Sequence, residues 1–133
     1  MMPDNGTGQN NPIKLLLVDD EHGYVSVLAK RMAKRNIVAV TATNGNEAIQ
    51  TLRGIHFDCA VLDLKMEDMD GIEVLKIFKK MDPTMPVVML TGHGSETAAR
   101  EGIKFGAFDY LTKPCDLDNL IDIICKACKR EAS

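Results

Sequence analysis

Aromatic residues are scarce in this chain: tryptophan is absent, tyrosine occurs twice and phenylalanine four times in 133 residues. Little is left to stack on a flavin, and no Gly-rich phosphate loop follows Val18, which argues against a flavin- or nucleotide-binding protein. Positive charge is also short. Sixteen Lys and Arg against nineteen Asp and Glu give a formal charge of −3, and no basic cluster interrupts that balance, so no direct contact with nucleic acid is expected. No apolar run approaches the roughly 20 residues of a membrane span, and the first dozen residues lack the basic region and apolar core of a signal peptide. A cytoplasmic protein without a membrane partner is expected. Cysteine occurs four times. Cys59 falls in a strand, and Cys125 and Cys128 continue the apolar face of the last helix, so they read as small core residues. The Cys125/Cys128 spacing is that of a redox pair but lies near a helix C-terminus, where a thiol pKa is not lowered. The four clustered ligands of a zinc site are not evident.

What the chain does contain is arranged around Phe57 to Gly71 (FDCAVLDLKMEDMDG). Cys59 to Leu62 is an apolar run of buried-strand length, and Asp63 stands where it meets a polar loop, at the carboxyl end of a strand. The length is that of one domain. Residues 1–12, rich in Asn and Gly, read as a disordered leader, 13–130 as the domain and 131–133 as a tail. Ile13 to Val18 is a first strand, ending in the acidic run Asp19, Asp20, Glu21. A helix with Val25, Leu28, Ala29 and Met32 on one stripe follows. Ile37 to Ala42 is a second strand, and Asn44 with Glu47 resembles a capping box for a helix that buries Ala48, Ile49 and Leu52 and stops at Gly54. Asp70 with Glu73 marks the start of a helix running to about Lys80. Pro83 and Pro86 precede the strand Val87 to Leu90, which ends in Thr91-Gly92-His93-Gly94. Ser95 is placed to cap a helix anchored only by Ala98, Ala99 and Ile103, which predicts a loosely held element. Ala107 to Leu111 is a fifth strand, and Asp116 caps a last helix with Leu117, Leu120, Ile121, Ile124 and Cys128 inward.

Strands without alternation, separated by amphipathic helices, predict an α/β fold: a (βα)5 doubly wound parallel five-stranded sheet. All strand carboxyl ends then share one edge, where ligands bind in such sheets. The residues just past the strands are Asp19 and Asp20, Asp63, Thr91 and Lys113. Carboxylates crowded together repel unless a hard divalent cation such as Mg²⁺ neutralises them. A hydroxyl and an ammonium beside them offer donors to an anion. Metal, acidic nucleophile, Thr and Lys around one point form a phosphoryl-transfer arrangement.

In order and spacing, LLLVDDE, VLDLKMEDMDG, VVMLTGHG and GAFDYLTKP resemble the receiver domains of two-component response regulators, over about residues 13 to 130. The resemblance implies a flavodoxin-like strand order of 2-1-3-4-5. It implies phosphorelay signalling, with Asp63 the phosphoacceptor of a histidine kinase phosphohistidine or a phosphotransfer protein, and no enzymatic activity beyond self-phosphorylation and self-dephosphorylation. Mg²⁺ would be held by Asp20, Asp63 and the backbone carbonyl of Lys65, with Asp19 helping through water. Thr91 and Lys113 would bind phosphoryl oxygens, and Tyr110 would turn inward as Thr91 moves. The Lys113–Pro114 bond would be cis, and a downstream effector would dock on the face from Ser95 to about Lys129, made by the fourth helix, fifth strand and last helix. Lys65 and His93 would flank the path of the hydrolytic water, with phosphoryl decay speeding up as His93 loses its proton.

The chain departs from the family pattern at Glu67, where a proline is usual; Asp68 follows. Losing the ring frees φ in the loop and adds negative charge near the site, which bears on loop rigidity and metal affinity. Two other readings share these residues. A haloacid dehalogenase-type phosphatase needs an Asp two residues after its nucleophile, where this chain has Lys65. A receiver-like module that never takes phosphate would not need the complete set of acids, Thr and Lys.

Overall fold

Five strands alternate with five helices: β1 (Ile13–Val18), α1 (His22–Ala33), β2 (Ile37–Ala42), α2 (Gly45–Gly54), β3 (Cys59–Asp63), α3 (Gly71–Met81), β4 (Val87–Thr91), α4 (Glu96–Lys104), β5 (Asp109–Thr112) and α5 (Leu117–Ala127). The computed structural model describes residues 11–92 and 96–130. The sheet is entirely parallel, in the order β2-β1-β3-β4-β5. The expected (βα)5 doubly wound fold and its strand order are therefore present.

Period-two alternation within the three central strands builds two cores from one sheet. Leu16 and Val18, Ala60 and Leu62, and Val87 and Met89 face one side, with Ala48, Leu52, Val74, Leu75 and Phe78 of α2 and α3. Leu15 and Leu17, Cys59 and Val61, and Val88 and Leu90 face the other, with α1 and α5 supplying Val25, Leu28, Met32, Leu120, Ile121 and Ile124. Because, apart from Lys14 at the start of β1, no residue of β1, β3 or β4 is exposed, these strands show no polar alternation in sequence.

The starts of α2, α3 and α5 are set by short side chains, with two departures from the expected boxes, while α1 starts at Glu21 without a side-chain cap. Asn44 accepts from the backbone N–H of Glu47 at 2.8 Å, but Glu47 reaches back to the N–H of Thr43 at 2.6 Å, one residue before the cap. Asp70 accepts from Ile72 at 3.0 Å, while Glu73 turns outward to Lys76 at 3.5 Å. Asp116 caps α5 through the N–H of Asp118 at 3.1 Å. Ser95 lies outside the described residues.

The α4–β5 segment departs from the sequence expectation. Of α4, Ala99 and Gly102 are the buried residues, and Ile103 is 41% exposed. The reason is close approach: a Cβ at Gly102 would stand 2.3 Å from Sδ of Met89, so the helix meets β4 along the Ala99–Gly102 line and turns Ile103 outward. The fifth strand starts at Asp109 rather than Ala107. Gly106 has φ of +106° and the N–H of Ala107 bonds the carbonyl of Gly102 at 3.0 Å, a C-terminal helix cap that uses these residues before the strand begins. Among the described residues no helix is long and apolar enough to cross a membrane.

Candidate functional site

The register of the strands brings four loop entrances together. Val18 pairs with Leu62, Asp63 with Leu90 and Thr91 with Thr112, so β1, β3, β4 and β5 end at one edge. Backbone bonds extend that edge outward: Asp19 N–H to the carbonyl of Ala42 at 3.1 Å, and Lys113 N–H to that of Thr91 at 2.6 Å. The Lys113–Pro114 bond is cis.

Asp19, Asp20 and Asp63 each place a carboxylate oxygen within 4.8 Å of the others. Asp19 and Asp63 are buried, and Asp20 is partly open. Lys113 binds the group together, with Nζ 2.9 Å from Asp19 Oδ2, 2.9 Å from Glu21 Oε1 and 3.6 Å from Asp63 Oδ2. Its ammonium also lies 4.9 Å from the ring centre of Tyr24, a cation–π contact on its remaining flank. Burial alone would lower the Lys113 pKa, but the hydrogen bonds to Asp19 and Glu21 and the nearby charge of Asp63 raise it well above the usual lysine range. It is a fixed positive charge.

Asp63 is the carboxylate that burial disturbs. Desolvation pushes its pKa up to about 6, opposed by the Lys65 N–H that donates to Oδ1 at 3.1 Å and by Lys113, and helped by Asp19 and Asp20. It opens onto a cleft of about 540 Å³ whose walls include Asp20, Lys65, Glu67, Gly92 and Lys113. Hard oxygen donors around a partly uncompensated negative charge fit a small divalent cation such as Mg²⁺. Asp19 is already engaged: Oδ2 accepts from Lys113, and Oδ1 from the N–H of Glu21 at 3.0 Å. Asp63 is engaged too, with Oδ1 accepting from the Lys65 N–H at 3.1 Å and Oδ2 lying 3.6 Å from Lys113 Nζ, while Asp20 is the partly open carboxylate of the three.

The remaining residues singled out by sequence stand around this centre. Thr91 sits at the end of β4, buried, and its hydroxyl donates to the carbonyl of Leu111 at 3.4 Å, toward β5 rather than into the cleft. Tyr110 is half-buried and packs on the core shared with α2 and α3. The Lys65 side chain is exposed. His93 lies outside the described residues. Sequence reasoning assigned no contact to Glu21 or Tyr24. Glu21 was visible in the acidic run after β1, whereas the place of Tyr24 depends on how α1 leaves the sheet.

A family model for the response regulator receiver domain matches residues 15–125. The chain belongs to that family. This receiver domain is 37% identical over 123 residues to the transcriptional regulatory protein GlrR of Escherichia coli (strain K12), covering 92% of this chain and 28% of GlrR. It is 37% identical over 108 residues to the transcriptional regulatory protein ZraR of Klebsiella oxytoca, covering 81% of this chain and 24% of ZraR. The chain thus spans about a quarter of the length of these curated relatives. Among solved structures, a response regulator receiver domain from Clostridium thermocellum superimposes with a TM-score of 0.83 at 31% identity, over 88% of this chain and 94% of that one. The receiver domain of NtrX from Brucella abortus gives 0.82 at 30%, over 86% and 98%. Receiver domains belong to two-component signalling, so a part in phosphorelay signalling follows from family membership.

Proposed function

We propose that this receiver domain takes a phosphoryl group from a phosphohistidine of a histidine kinase or phosphotransfer protein onto Asp63. The observation that carries the reading is the buried Asp63 carboxylate, flanked by two more carboxylates within 4.8 Å and by the Lys113 ammonium at 3.6 Å. An oxygen of Asp63 attacks phosphorus, the bond from phosphorus to the donor imidazole breaks, and the proton that makes the imidazole a good leaving group stays on the donor. Although burial raises its pKa to about 6, Asp63 is mostly ionised at neutral pH and so remains a nucleophile. Asp20, Asp63 and the Lys65 carbonyl would hold Mg²⁺, with Asp19 helping through water, and the ion would offset the charge of the acids and of the incoming phosphoryl group. Lys113 stays protonated and contacts one phosphoryl oxygen. Thr91 reaches another by leaving Leu111, which opens room for Tyr110 to turn inward.

The face from α4 through β5 to α5 then changes its affinity for an effector. The thin anchoring of α4 supports this, because an element held at Ala99 and Gly102 shifts more easily than one buried along its length. Incubation with acetyl phosphate and Mg²⁺, followed by intact mass measurement, should add one phosphoryl group per chain. Asp63→Asn should add none. Labelling of that variant at the wild-type rate would refute the assignment, and an unlabelled wild type would leave the domain as an interaction module.

A further inference from the structure

The loop from Leu64 to Asp70 lacks the proline of the family pattern, yet its apex is anchored. Its base is closed by Gly71 N–H on the carbonyl of Leu64 at 3.2 Å and by antiparallel pairing of Lys65 with Asp70. Only glycine permits that closure, since a Cβ at Gly71 would lie 2.4 Å from Leu64 Cα. Base closure alone leaves residues 66 to 69 to find their own position. Asp68 supplies the second fixed point: Oδ1 accepts from Gly45 N–H at 2.9 Å and Oδ2 from Asn46 N–H at 3.0 Å. These donors belong to the first turn of α2, where the helix dipole favours a carboxylate. Met69 packs beside them, so close that a Cβ at Gly45 would stand 2.9 Å from its Sδ. The same hydrogen bonds, that of Gly45 first, hold the Asp68 carboxyl below the usual range.

We propose that Asp68 is a positioning residue, clamping the apex of the β3–α3 loop to the N-terminus of α2 and so setting where the Lys65 carbonyl stands and how tightly the site holds Mg²⁺. The clamp replaces by hydrogen bonding the rigidity that a proline ring at the position of Glu67 would give. It rests on the metal set described under Proposed function. It also makes the metal site sensitive to α2, an element that contributes none of that set.

α2 keeps a cap of its own without the clamp, since Asn44 accepts from the N–H of Glu47. Mg²⁺ titration by calorimetry at pH 7, on the full chain, compares wild type, Asp68→Ala, Glu67→Gln and Asn44→Ala. Asp68→Ala should weaken Mg²⁺ binding by about 10-fold or more, the usual effect of losing an outer-shell contact. It should also speed amide exchange at Gly45 and Asn46. Glu67→Gln removes the same charge nearer the cleft without touching the clamp and should cost less. Asn44→Ala should lower Tm and leave Mg²⁺ affinity at the wild-type value. Wild-type affinity in Asp68→Ala would overturn the proposal, as would a loss no larger than in Glu67→Gln, which would be charge alone, or an equal loss in Asn44→Ala, which would be helix stability alone. Wild type that binds no Mg²⁺ would remove the metal set itself, and the positioning role with it.

Discussion

One edge of the sheet is built in two ways. At β1 and β3 the carboxylates of Asp19 and Asp63 are buried and bonded, Asp19 to Lys113 and to the Glu21 N–H and Asp63 to the Lys65 N–H, and Lys113, reaching across from just past β5, is itself held by two carboxylates and a ring. At β4 and β5 the anchoring is thin. The Thr91 hydroxyl makes a weak bond of 3.4 Å, every residue of β5 is only half-buried, and Ile103, Phe105 and Phe108 are 41%, 42% and 46% exposed. The contrast separates two tasks. Under the proposed function, the rigidly held groups are those that would meet a fixed ligand geometry, and the thinly held segment is the one that would report on occupancy.

The sharpest way to break the contrast is to remove the charge that ties the rigid half together. Lys113→Met keeps most of the stem and leaves three acids without their shared cation. Because Asp19 is fully buried, the loss should be about 3 kcal/mol, the lower end of the cost of orphaning a buried charge, since Lys113 is partly reached by water. Urea unfolding without metal measures it, and Mg²⁺ should restore part of the loss. Unchanged stability would mean that the rigid half is not held by this cation.

Asp63→Asn should act in the opposite direction in metal-free protein. The carboxyl binds its proton more tightly in the folded chain, with a pKa of about 6 against 3.8, so the folded state holds the extra proton between these values. Stability from this group therefore falls as pH rises through that window, and the full cost above it is up to about 3 kcal/mol. The variant should be more stable than wild type by up to that amount at pH 7, and the gap should close by about pH 4. Paired urea titrations test this, because the other carboxylates titrate alike in both proteins. A gap that widens as pH falls would contradict the raised pKa.

The rigid half was the more legible in sequence. An apolar run with an acid at its end marks a parallel strand delivering a carboxylate, and β1 and β3 announce Asp19, Asp20 and Asp63 in that way. The contacts of Asp68 were hidden, because Gly45 and Asn46 lie 23 and 22 residues away and meet it only once two loops have folded. The resemblance to the family pattern showed the missing proline at Glu67 but not the hydrogen bonds made by Asp68. The thinly anchored half was misread at two points: helical spacing puts Ala99 and Ile103 on one stripe, but the absence of a side chain at Gly102 draws the helix in along a neighbouring line. The same segment ends in a cap that takes Ala107 out of the strand.

Gly102→Ala tests that close approach. Helix propensity alone would favour Ala by up to about 1 kcal/mol. The added methyl would meet Met89 at 2.3 Å from Sδ and 2.6 Å from Cε, in a fully buried part of the core. Overpacking of this kind costs about 1–3 kcal/mol, so the net effect should be a loss of about 1 kcal/mol in urea unfolding. A gain would show that α4 backs away freely even at its contact with Met89, which would sharpen the contrast.

The smallest effect should come from Ile103→Ala. At Ile121, on α5 and fully buried against the sheet, the same substitution should cost about 2–5 kcal/mol. At Ile103, 41% exposed and turned away from the Ala99–Gly102 contact, it should change stability by no more than about 0.5 kcal/mol, as at ordinary surface positions. Side-by-side urea curves at equal pH and salt give both values. A cost at Ile103 approaching that at Ile121 would mean that α4 in solution rolls this side chain into the core, and that the weak anchoring supporting the proposed switch belongs to one orientation of the helix. A negligible cost leaves Ile103 with no part in holding the fold and free to meet an effector on the surface where it stands.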